Sequence, residues 1–99
     1  PYQWTKQVAS HFGGTRDGMI LHWPRGVPER GGLRHQFSHV IDVLPTILDC
    51  IGVPVPFSVD GVPQQPIEGT SMRGTLADPR APEHRRTQYF EMCGNRGIY

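Results

Sequence analysis

The sequence lacks an excess of charge of either sign. Ten Lys and Arg residues are balanced by nine Asp and Glu residues, which gives a formal net charge of +1. Binding to nucleic acid or to an anionic membrane surface depends on a strong positive field, so we expect neither kind of partner. The sequence also lacks a run of about 18 consecutive apolar residues, so we expect no transmembrane span.

Cysteine is scarce, and the common nucleotide-binding motifs are missing. Cys50 and Cys93 are the only two cysteines. They are too few for a disulfide framework, form no C-x-x-C pair and do not identify a compartment. We expect both to be free thiols packed as small hydrophobic residues. Neither G-x-G-x-x-G nor G-x-x-x-x-G-K-[ST] occurs, so nothing supports phosphate binding by either scheme.

Glycine and proline are abundant, at 12 and 10 of 99 residues, while the apolar fraction is 36%. The mean hydropathy is −0.44. This composition predicts one small domain with a modest core, few long elements and many turns. It is more typical of part of a larger protein than of a free-standing domain. Pro1 and Tyr99, as terminal residues, favour the same interpretation, so we expect an internal piece of a longer chain.

Two elements are predicted near the beginning of the chain. Apolar residues recur every four positions through residues 4–12, which predicts one or two helical turns ended by Gly13 and Gly14. The run GMILHW, at residues 18–23, is short, apolar and rich in strand formers. It predicts a strand that Pro24 stops.

The strongest helix signal is DVLPTILDCIG, at residues 42–52. Asp42 can cap the first amides, Pro45 is tolerated in the first turn, and Gly52 supplies a C-terminal stop. An apolar face follows at 3.6-residue periodicity and predicts a buried helix. Its members are Val43, Leu44, Ile47, Leu48 and Ile51.

The rest of the chain is predicted to contain loops and one hairpin. Residues 53–71 turn repeatedly at prolines and glycines, which predicts an ordered surface connection with little regular structure. Residues 77–86 are polar and broken by proline, which predicts an internal boundary. TQYFEM and RGIY are predicted strands joined by CGN, where Gly94 and Asn95 suit a hairpin turn.

Three residues have the spacing of a possible metal site. His35, His39 and Asp42 would share one face of a helix. The glutamate of the H-E-x-x-H motif is missing, however, and Asp42 already has a capping role. Solvent-facing or hydrogen-bonded histidines are therefore the preferred interpretation, and we predict no metal ligand in this chain.

Lys6 is the only lysine; every other strongly basic residue is arginine. A compact, strongly hydrated ammonium suits one oxygen of a tetrahedral anion, whereas the planar fork of arginine prefers paired oxygens. A lone lysine is more often simply solvated, and two glycines more often form a structural turn. Composition and spacing alone leave both interpretations of the Lys6 segment open.

Four blocks of the sequence, in order, resemble the C-terminal part of the sulfatase family, and within it the bacterial arylsulfatases. They are K…SHFGGTR with a strand ending in HWP, HVIDVLPTILDCIGVPVP, DGVPQQPIEGTSM and TQYFEMCGNRGIY. The resemblance covers roughly residues 4–99. The D-x-x-P-T helix with its following G-x-P, and the DG…P-x-x-G-x-S loop, are specific in combination.

The resemblance implies an alkaline-phosphatase-like α/β fold, in which a large mixed sheet lies between helices. Residues 1–76 would be the C-terminal part of the catalytic domain, with GMILHW as a strand of that sheet and residues 42–52 as a covering helix. Residues 77–99 would begin a small C-terminal antiparallel subdomain. A parallel sheet needs neighbouring strands and cover on both faces, which agrees with the expectation of a longer chain.

The resemblance also implies hydrolysis of a small-molecule sulfate ester by a formylglycine nucleophile and a divalent cation, commonly Ca²⁺. Cys50 lies in CIGVP, which does not match the C-x-P-x-R motif that yields formylglycine. We therefore expect the nucleophile and the metal ligands outside these 99 residues, and no hydrolysis by this piece alone.

Lys6 matches the family lysine that contacts the substrate sulfate, so we predict a catalytic and substrate-binding role for it. The more common family pattern has glutamate directly before Gly-Gly and a lysine one residue nearer; here Phe12 takes the glutamate position. His11 is a second predicted substrate-binding residue, and Arg16 is predicted to bridge its loop to carboxylates or carbonyls. Two alternatives stay open: a phosphonate monoester or phosphodiester hydrolase of the same superfamily, and a non-catalytic anion-binding module.

Overall fold

The computed structural model describes residues 1–27 and 29–99. Its mixture of short helices and antiparallel strand pairs is compatible with the α/β prediction. The helices are α1 (Phe12–Thr15), α2 (Val43–Ile51) and α3 (Arg73–Ala77), with a 3₁₀ turn at Val40–Asp42. The strands are β1 (Ser58–Val59), β2 (Val62–Pro63), β3 (Tyr89–Met92) and β4 (Asn95–Ile98). Two compact units form: Pro1–His22 with Arg86–Tyr99, and Trp23–Arg85.

Helix α2 confirms the strongest helix prediction. Gly52 ends it with φ +70°, the left-handed conformation that glycine adopts without a Cβ penalty. The amide of Val53 donates to the carbonyl of Leu48 at 2.9 Å, which closes the helix end. The N-terminal cap differs from the prediction, however. Asp42 makes no side-chain cap bond to α2, and instead takes part in a capping box with His39 around the 3₁₀ turn.

The prediction that the apolar face of α2 is buried is wrong. Leu44, Ile47 and Ile51 are 52%, 51% and 63% exposed, whereas Pro45 and Thr46 are buried. The described residues pack against the side of α2 that carries Pro45 and Thr46. The exposed side borders a groove of about 520 Å³ with Leu44 and Leu48 among its lining residues.

Residues 53–71 are a connection with little regular structure, as predicted, except for a short hairpin. Strands β1 and β2 pair antiparallel, with Val59 opposite Val62. The two residues between them, Asp60 and Gly61, have φ of +49° and +78°. Positive φ at both central positions is the signature of a type I′ hairpin turn.

The small core of the Trp23–Arg85 unit lies at α3. Met72 and Leu76 are the buried hydrophobic residues, at 4% and 8% exposure. The guanidinium of Arg34 donates to the carbonyls of Thr75 at 2.6 Å and Leu76 at 3.1 Å. These bonds satisfy carbonyl groups that the last turn of a short helix leaves without helical partners.

The C-terminal hairpin is confirmed. Strands β3 and β4 pair antiparallel, and the amide and carbonyl of Gln88 both bond to Tyr99 beyond the strand ends. The turn lies one residue earlier than expected. Cys93 and Gly94 occupy its centre with φ of +51° and +83°, and Asn95 is the first residue of β4.

Both predictions for residues 4–23 are wrong. Trp4 and Gln7 have φ of +66° and +75°, which no right-handed helix allows, and the only helix here is α1, which contains Gly13 and Gly14. Residues 18–23 form neither helix nor strand. No strand of the described ranges pairs with them, so an extended segment there would gain no ladder hydrogen bonds.

Every helix in residues 1–27 and 29–99 is too short or too polar to cross a membrane.

Candidate functional site

The segment around Lys6 is a compact arrangement of loop and helix. The amide of Gly13 donates to the carbonyl of Gln3 at 3.0 Å, and the amide of Val8 donates to the carbonyl of Thr5 at 3.3 Å. These bonds connect residues 3–8 to the beginning of α1 and close a turn around Lys6. The lysine is therefore placed by backbone hydrogen bonds and not by packing of its own side chain.

Glycine is required at positions 13 and 14 because the backbone carbonyls of Trp4 and Val8 lie very close to these two residues. A Cβ at Gly13 would lie 2.0 Å from the carbonyl oxygen of Trp4, and one at Gly14 would lie 2.1 Å from that of Val8. Both distances are far shorter than a van der Waals contact. The glycines thus have a structural role, and neither has a positive φ.

Lys6 is exposed and lies in a turn. Among residues 1–27 and 29–99 its ammonium has no hydrogen-bond or ion-pair partner. The first 16 residues contain Lys6, His11 and Arg16 and no Asp or Glu. A cation with no neighbouring carboxylate in its own segment is available to a solvent anion.

His11 lies directly before α1 and makes no side-chain cap bond to it. Its Nδ1 is 2.8 Å from the hydroxyl of Ser10, and its ring is 6.0 Å from that of Trp4, centroid to centroid. His11 is exposed, and no hydrogen-bond partner for its Nε2 lies in the described ranges. Its predicted role in substrate binding stays a prediction.

Arg16 has a structural contact, but with different partners from those predicted. Its guanidinium carbon lies 5.8 Å from the ring centre of Tyr2 and 5.7 Å from that of Phe12. The two rings meet edge to face at 5.5 Å. These are cation–π contacts, and they replace the expected bridge to carboxylates or carbonyls. The guanidinium of Arg16 thus contacts two aromatic rings, whereas the ammonium of Lys6 has no partner in the described part of the chain.

A second polar centre lies at Asp42, whose side chain is completely buried. The amides of His39 and Thr70 donate to its carboxylate at 2.9 and 2.8 Å. Arg85 donates to it through Nε at 3.1 Å and through Nη2 as well, and the Nε2 of His84 lies at 3.2 Å. The carboxylate therefore connects the 3₁₀ turn, the loop near residue 70 and the segment near residue 85.

The electrostatics of Asp42 follow from these bonds. Burial raises the pKa of the carboxyl group, but hydrogen bonds from Arg85, Thr70, His39 and His84 stabilise the charged form by more. The net result is a pKa well below the usual range, so Asp42 is an anion at neutral pH. The same pair raises the pKa of Arg85. A carboxylate enclosed in this way has a structural role.

Thr46 extends this centre on α2. Its hydroxyl donates to the carbonyl of Asp42 at 2.6 Å and accepts from the amide of Met72 at 2.9 Å. At Gly69 an added Cβ would lie 1.9 Å from the carbonyl oxygen of Ile41. The D-x-x-P-T and P-x-x-G-x-S patterns therefore meet in space, because their polar residues join the loop to the beginning of the helix.

The geometry assumed for a metal site at His35, His39 and Asp42 is absent. Residues 35–39 are not helical, so the three side chains do not share a helix face. Asp42 is occupied by Arg85, and the Nδ1 of His39 accepts from the amide of Ile41 at 3.3 Å. In the described ranges no group of three or more His, Cys, Asp or Glu residues is arranged to hold a metal ion.

Both cysteines are free thiols. Cys50 is partly buried within α2, but Cys93 is exposed at the β3–β4 turn, so the expectation that it packs as a small hydrophobic residue is wrong.

Sequence reasoning missed His84 and Arg85 completely. They belong to the polar, proline-broken stretch that we interpreted as a boundary, and Arg85 is 9% exposed. Their partner Asp42 lies more than 40 residues earlier. No local pattern connects positions so far apart, and the only signal was an acidic residue at the beginning of an apolar helix.

No protein-family model matches this chain, and no solved structure matches it either.

Proposed function

We propose that this chain is part of a sulfuric ester hydrolase of the arylsulfatase kind, in which Lys6 contacts the sulfate of a small-molecule ester. The support is the order of four sequence blocks that resemble sulfatases. The proposal includes an alkaline-phosphatase-like fold, with residues 1–76 in the catalytic domain and residues 77–99 at the beginning of a small antiparallel subdomain.

The observation that carries the proposal is the state of Lys6. It is the only lysine, it is exposed, and nothing in the described ranges pairs with its ammonium. Backbone contacts at Gly13 and Gly14 hold the surrounding loop. An exposed cation that no described residue neutralises is available to an oxygen of a bound sulfate.

The chemical role of Lys6 follows from the charge that hydrolysis creates. When an oxygen nucleophile forms a bond to sulfur, the bond from sulfur to the ester oxygen breaks, and negative charge develops on that leaving oxygen. A positioned ammonium stabilises this charge by about a few kcal/mol. It also fixes one sulfate oxygen and so orients the ester for in-line attack.

The described residues do not fit a calcium site or a formylglycine precursor. No group of acidic, histidine or cysteine ligands is assembled among them, and Cys50 lies inside α2. In the proposal both groups therefore belong to other parts of a longer polypeptide. The 99-residue chain alone is expected to hydrolyse no sulfate ester, and metal-independent turnover by it would contradict the proposal.

The test is a Lys6→Ala change in the natural polypeptide that contains this chain. We expect kcat on para-nitrophenyl sulfate to fall at least about tenfold, which corresponds to about 1.4 kcal/mol of transition-state stabilisation. Arg96→Ala, which removes an exposed base in β4, is the matched control and should leave the rate unchanged. An unchanged rate in Lys6→Ala would contradict a catalytic role of Lys6 and would leave this segment, at most, as a non-catalytic anion-binding module.

The superfamily alternative has its own test. The same preparation is assayed on an aryl sulfate and on an aryl phosphonate monoester, and the two values of kcat/KM are compared. Faster sulfate hydrolysis is expected. Faster phosphonate hydrolysis would replace the sulfatase proposal with the phosphonate hydrolase.

A further inference from the structure

The dipeptide Asp-Gly occurs twice in the chain, as Asp17 with Gly18 and as Asp60 with Gly61. Aspartate before glycine is especially prone to a spontaneous rearrangement of the backbone, because glycine has no Cβ to shield its amide nitrogen from the preceding side chain. The two copies have the same reactive groups. A large difference in their reactivity must therefore come from the fold, and their surroundings differ.

Asp17 and Gly18 lie in a segment that the fold leaves open. Both residues are exposed, and residues 17–23 belong to no helix, strand or turn. Within residues 1–27 and 29–99, neither the carboxyl group of Asp17 nor the amide of Gly18 has a hydrogen-bond partner. A Cβ added at Gly18 would meet no described atom within 4 Å beyond its chain neighbours. The peptide unit between the two residues can therefore rotate without losing a contact.

Asp60 and Gly61 are also exposed, but their backbone is fixed. They are the two central residues of the turn between β1 and β2, with φ of +49° and +78°. Strand pairing holds Val59 opposite Val62 on either side of them. Beyond the strands, the amide of residue 64 donates to the carbonyl of residue 57 at 2.9 Å. Rotation of the peptide unit between Asp60 and Gly61 therefore requires the hairpin to open first.

We propose that Asp17 is a site of spontaneous isoaspartate formation and that the turn conformation protects Asp60. In the first step the amide nitrogen of Gly18 forms a bond to Cγ of the neutral carboxyl group of Asp17. The hydrogen of that nitrogen and the hydroxyl of the carboxyl group leave as water, and a succinimide ring remains. Water then opens the ring at either of its two carbonyl groups.

The two ways of opening the ring give different products. Cleavage of the bond from nitrogen to Cγ restores Asp17, whereas cleavage of the bond from nitrogen to the backbone carbonyl carbon gives isoaspartate. The chain then runs through the side-chain carbonyl, which adds one methylene to the backbone directly after Arg16. Water is released in one step and taken up in the other, so no further reactant is needed. The inference is therefore independent of the proposed function.

The test is a timed incubation of the natural polypeptide that contains this chain, in neutral buffer at physiological temperature, followed by peptide mapping. Electron-transfer fragmentation distinguishes isoaspartate from aspartate, which has the same mass. Isoaspartate should form at Asp17 at least about fivefold faster than at Asp60, because the hairpin has to open before Asp60 reacts. In urea, which removes the fold, the two rates should agree within about twofold.

Gly18→Ala is the matched variant, because the added Cβ has open space in the folded chain. It should slow isoaspartate formation at Asp17 about tenfold by shielding the amide nitrogen, and it should leave the rate at Asp60 unchanged. Asp17→Ala, which has no carboxyl group at this position, is the blank. Equal rates at the two sites in the folded protein, a faster rate at Asp60, or unequal rates in urea would overturn the inference. An unchanged rate in Gly18→Ala would also overturn it.

Discussion

The charged groups of Asp42 and Lys6 lie in opposite environments. Asp42 is completely buried and accepts hydrogen bonds from His39, Thr70 and Arg85, with His84 also in contact. Lys6 is exposed, and no partner for its ammonium lies in the described ranges. Both residues belong to sequence blocks that carry the sulfatase resemblance, so membership in such a block does not by itself indicate contact with substrate.

The difference shows which charge the fold depends on. Burial of Asp42 without its partners would cost several kcal/mol, so the carboxylate is compatible with folding only when Arg85 and the amides are in place. The ammonium of Lys6 keeps its hydration and has no such requirement. Substitutions at the two centres should therefore separate cleanly, with large effects on stability at one and effects on function at the other.

The largest expected effect is that of Asp42→Ala. It leaves Arg85, which is 9% exposed, as a buried cation without its carboxylate, and removal of one partner of a buried pair costs about 3–5 kcal/mol. Urea unfolding followed by circular dichroism measures the change. Asp17→Ala, at an exposed position without a positive φ, is the control and should stay within about 0.5 kcal/mol of the wild type.

A variant that does not fold at all would leave the cause of the Asp42→Ala effect open, so a second variant is needed. Replacing both partners, in Asp42→Asn with Arg85→Met, removes the unpaired charge and should recover much of the loss. An Asp42→Ala protein within about 1 kcal/mol of the wild type would contradict the importance of the pair.

The next effect is a dependence of stability on acid. The folded-state pKa of Asp42 lies below its unfolded value, so its contribution is fully present above about pH 4, and it is lost as the pH falls through the folded-state pKa. The free energy of unfolding of the wild type should therefore decrease steeply below about pH 4. The Asp42→Asn/Arg85→Met protein should show a shallower decrease.

Asp49 provides the control for this acid effect. Hydrogen bonds from Ser71 and Arg73 also lower its pKa, but its pair with Arg73 is exposed and screened by solvent. Asp49→Asn should therefore retain nearly all of the wild-type acid dependence. If the acid dependence of the free energy of unfolding were lost in Asp49→Asn and kept in Asp42→Asn/Arg85→Met, the exposed pair of Asp49 and Arg73 would be its main source.

A moderate effect is expected from Gly13→Ala in the loop that holds Lys6. Alanine normally stabilises a helix position relative to glycine, but a Cβ here would lie 2.0 Å from the carbonyl oxygen of Trp4. We therefore expect a loss of about 2 kcal/mol in the free energy of unfolding. Gly18→Ala is matched to it, because nothing lies within 4 Å of the added Cβ. If Gly13→Ala proved stabilising, the close approach would be disproved.

Local patterns predicted the parts of the fold that depend on nearby residues. The apolar periodicity and the Gly52 stop predict helix α2, although the expected cap by Asp42 is wrong. Two strand-like runs around Gly94 predict the β3–β4 hairpin. The helix prediction for residues 4–12 fails because the backbone is left-handed at Trp4, and three apolar residues at helical spacing do not form a helix there.

The buried centre could not be predicted, for a different physical reason. The pair of Asp42 and Arg85 joins residues separated by 43 positions, and propensity and periodicity describe only neighbours along the chain. The choice of Lys6 as a site residue depends on its chemical type and on the family resemblance. Composition alone predicts only that a lone lysine is exposed. What the sequence lacked was the information on which polar residues the fold pairs.

The smallest expected effect completes the comparison. Lys6→Ala should change the free energy of unfolding by less than about 0.5 kcal/mol, because an exposed ammonium with no partner in the described ranges contributes little to folding. Urea unfolding of Lys6→Ala and Lys6→Arg, measured beside the wild type, tests this. A loss above about 1 kcal/mol would mean that Lys6 has a structural partner, and the two centres would then differ in degree only. Unchanged stability together with lost turnover would instead place the role of Lys6 in function, because the fold would then be shown not to need its charge.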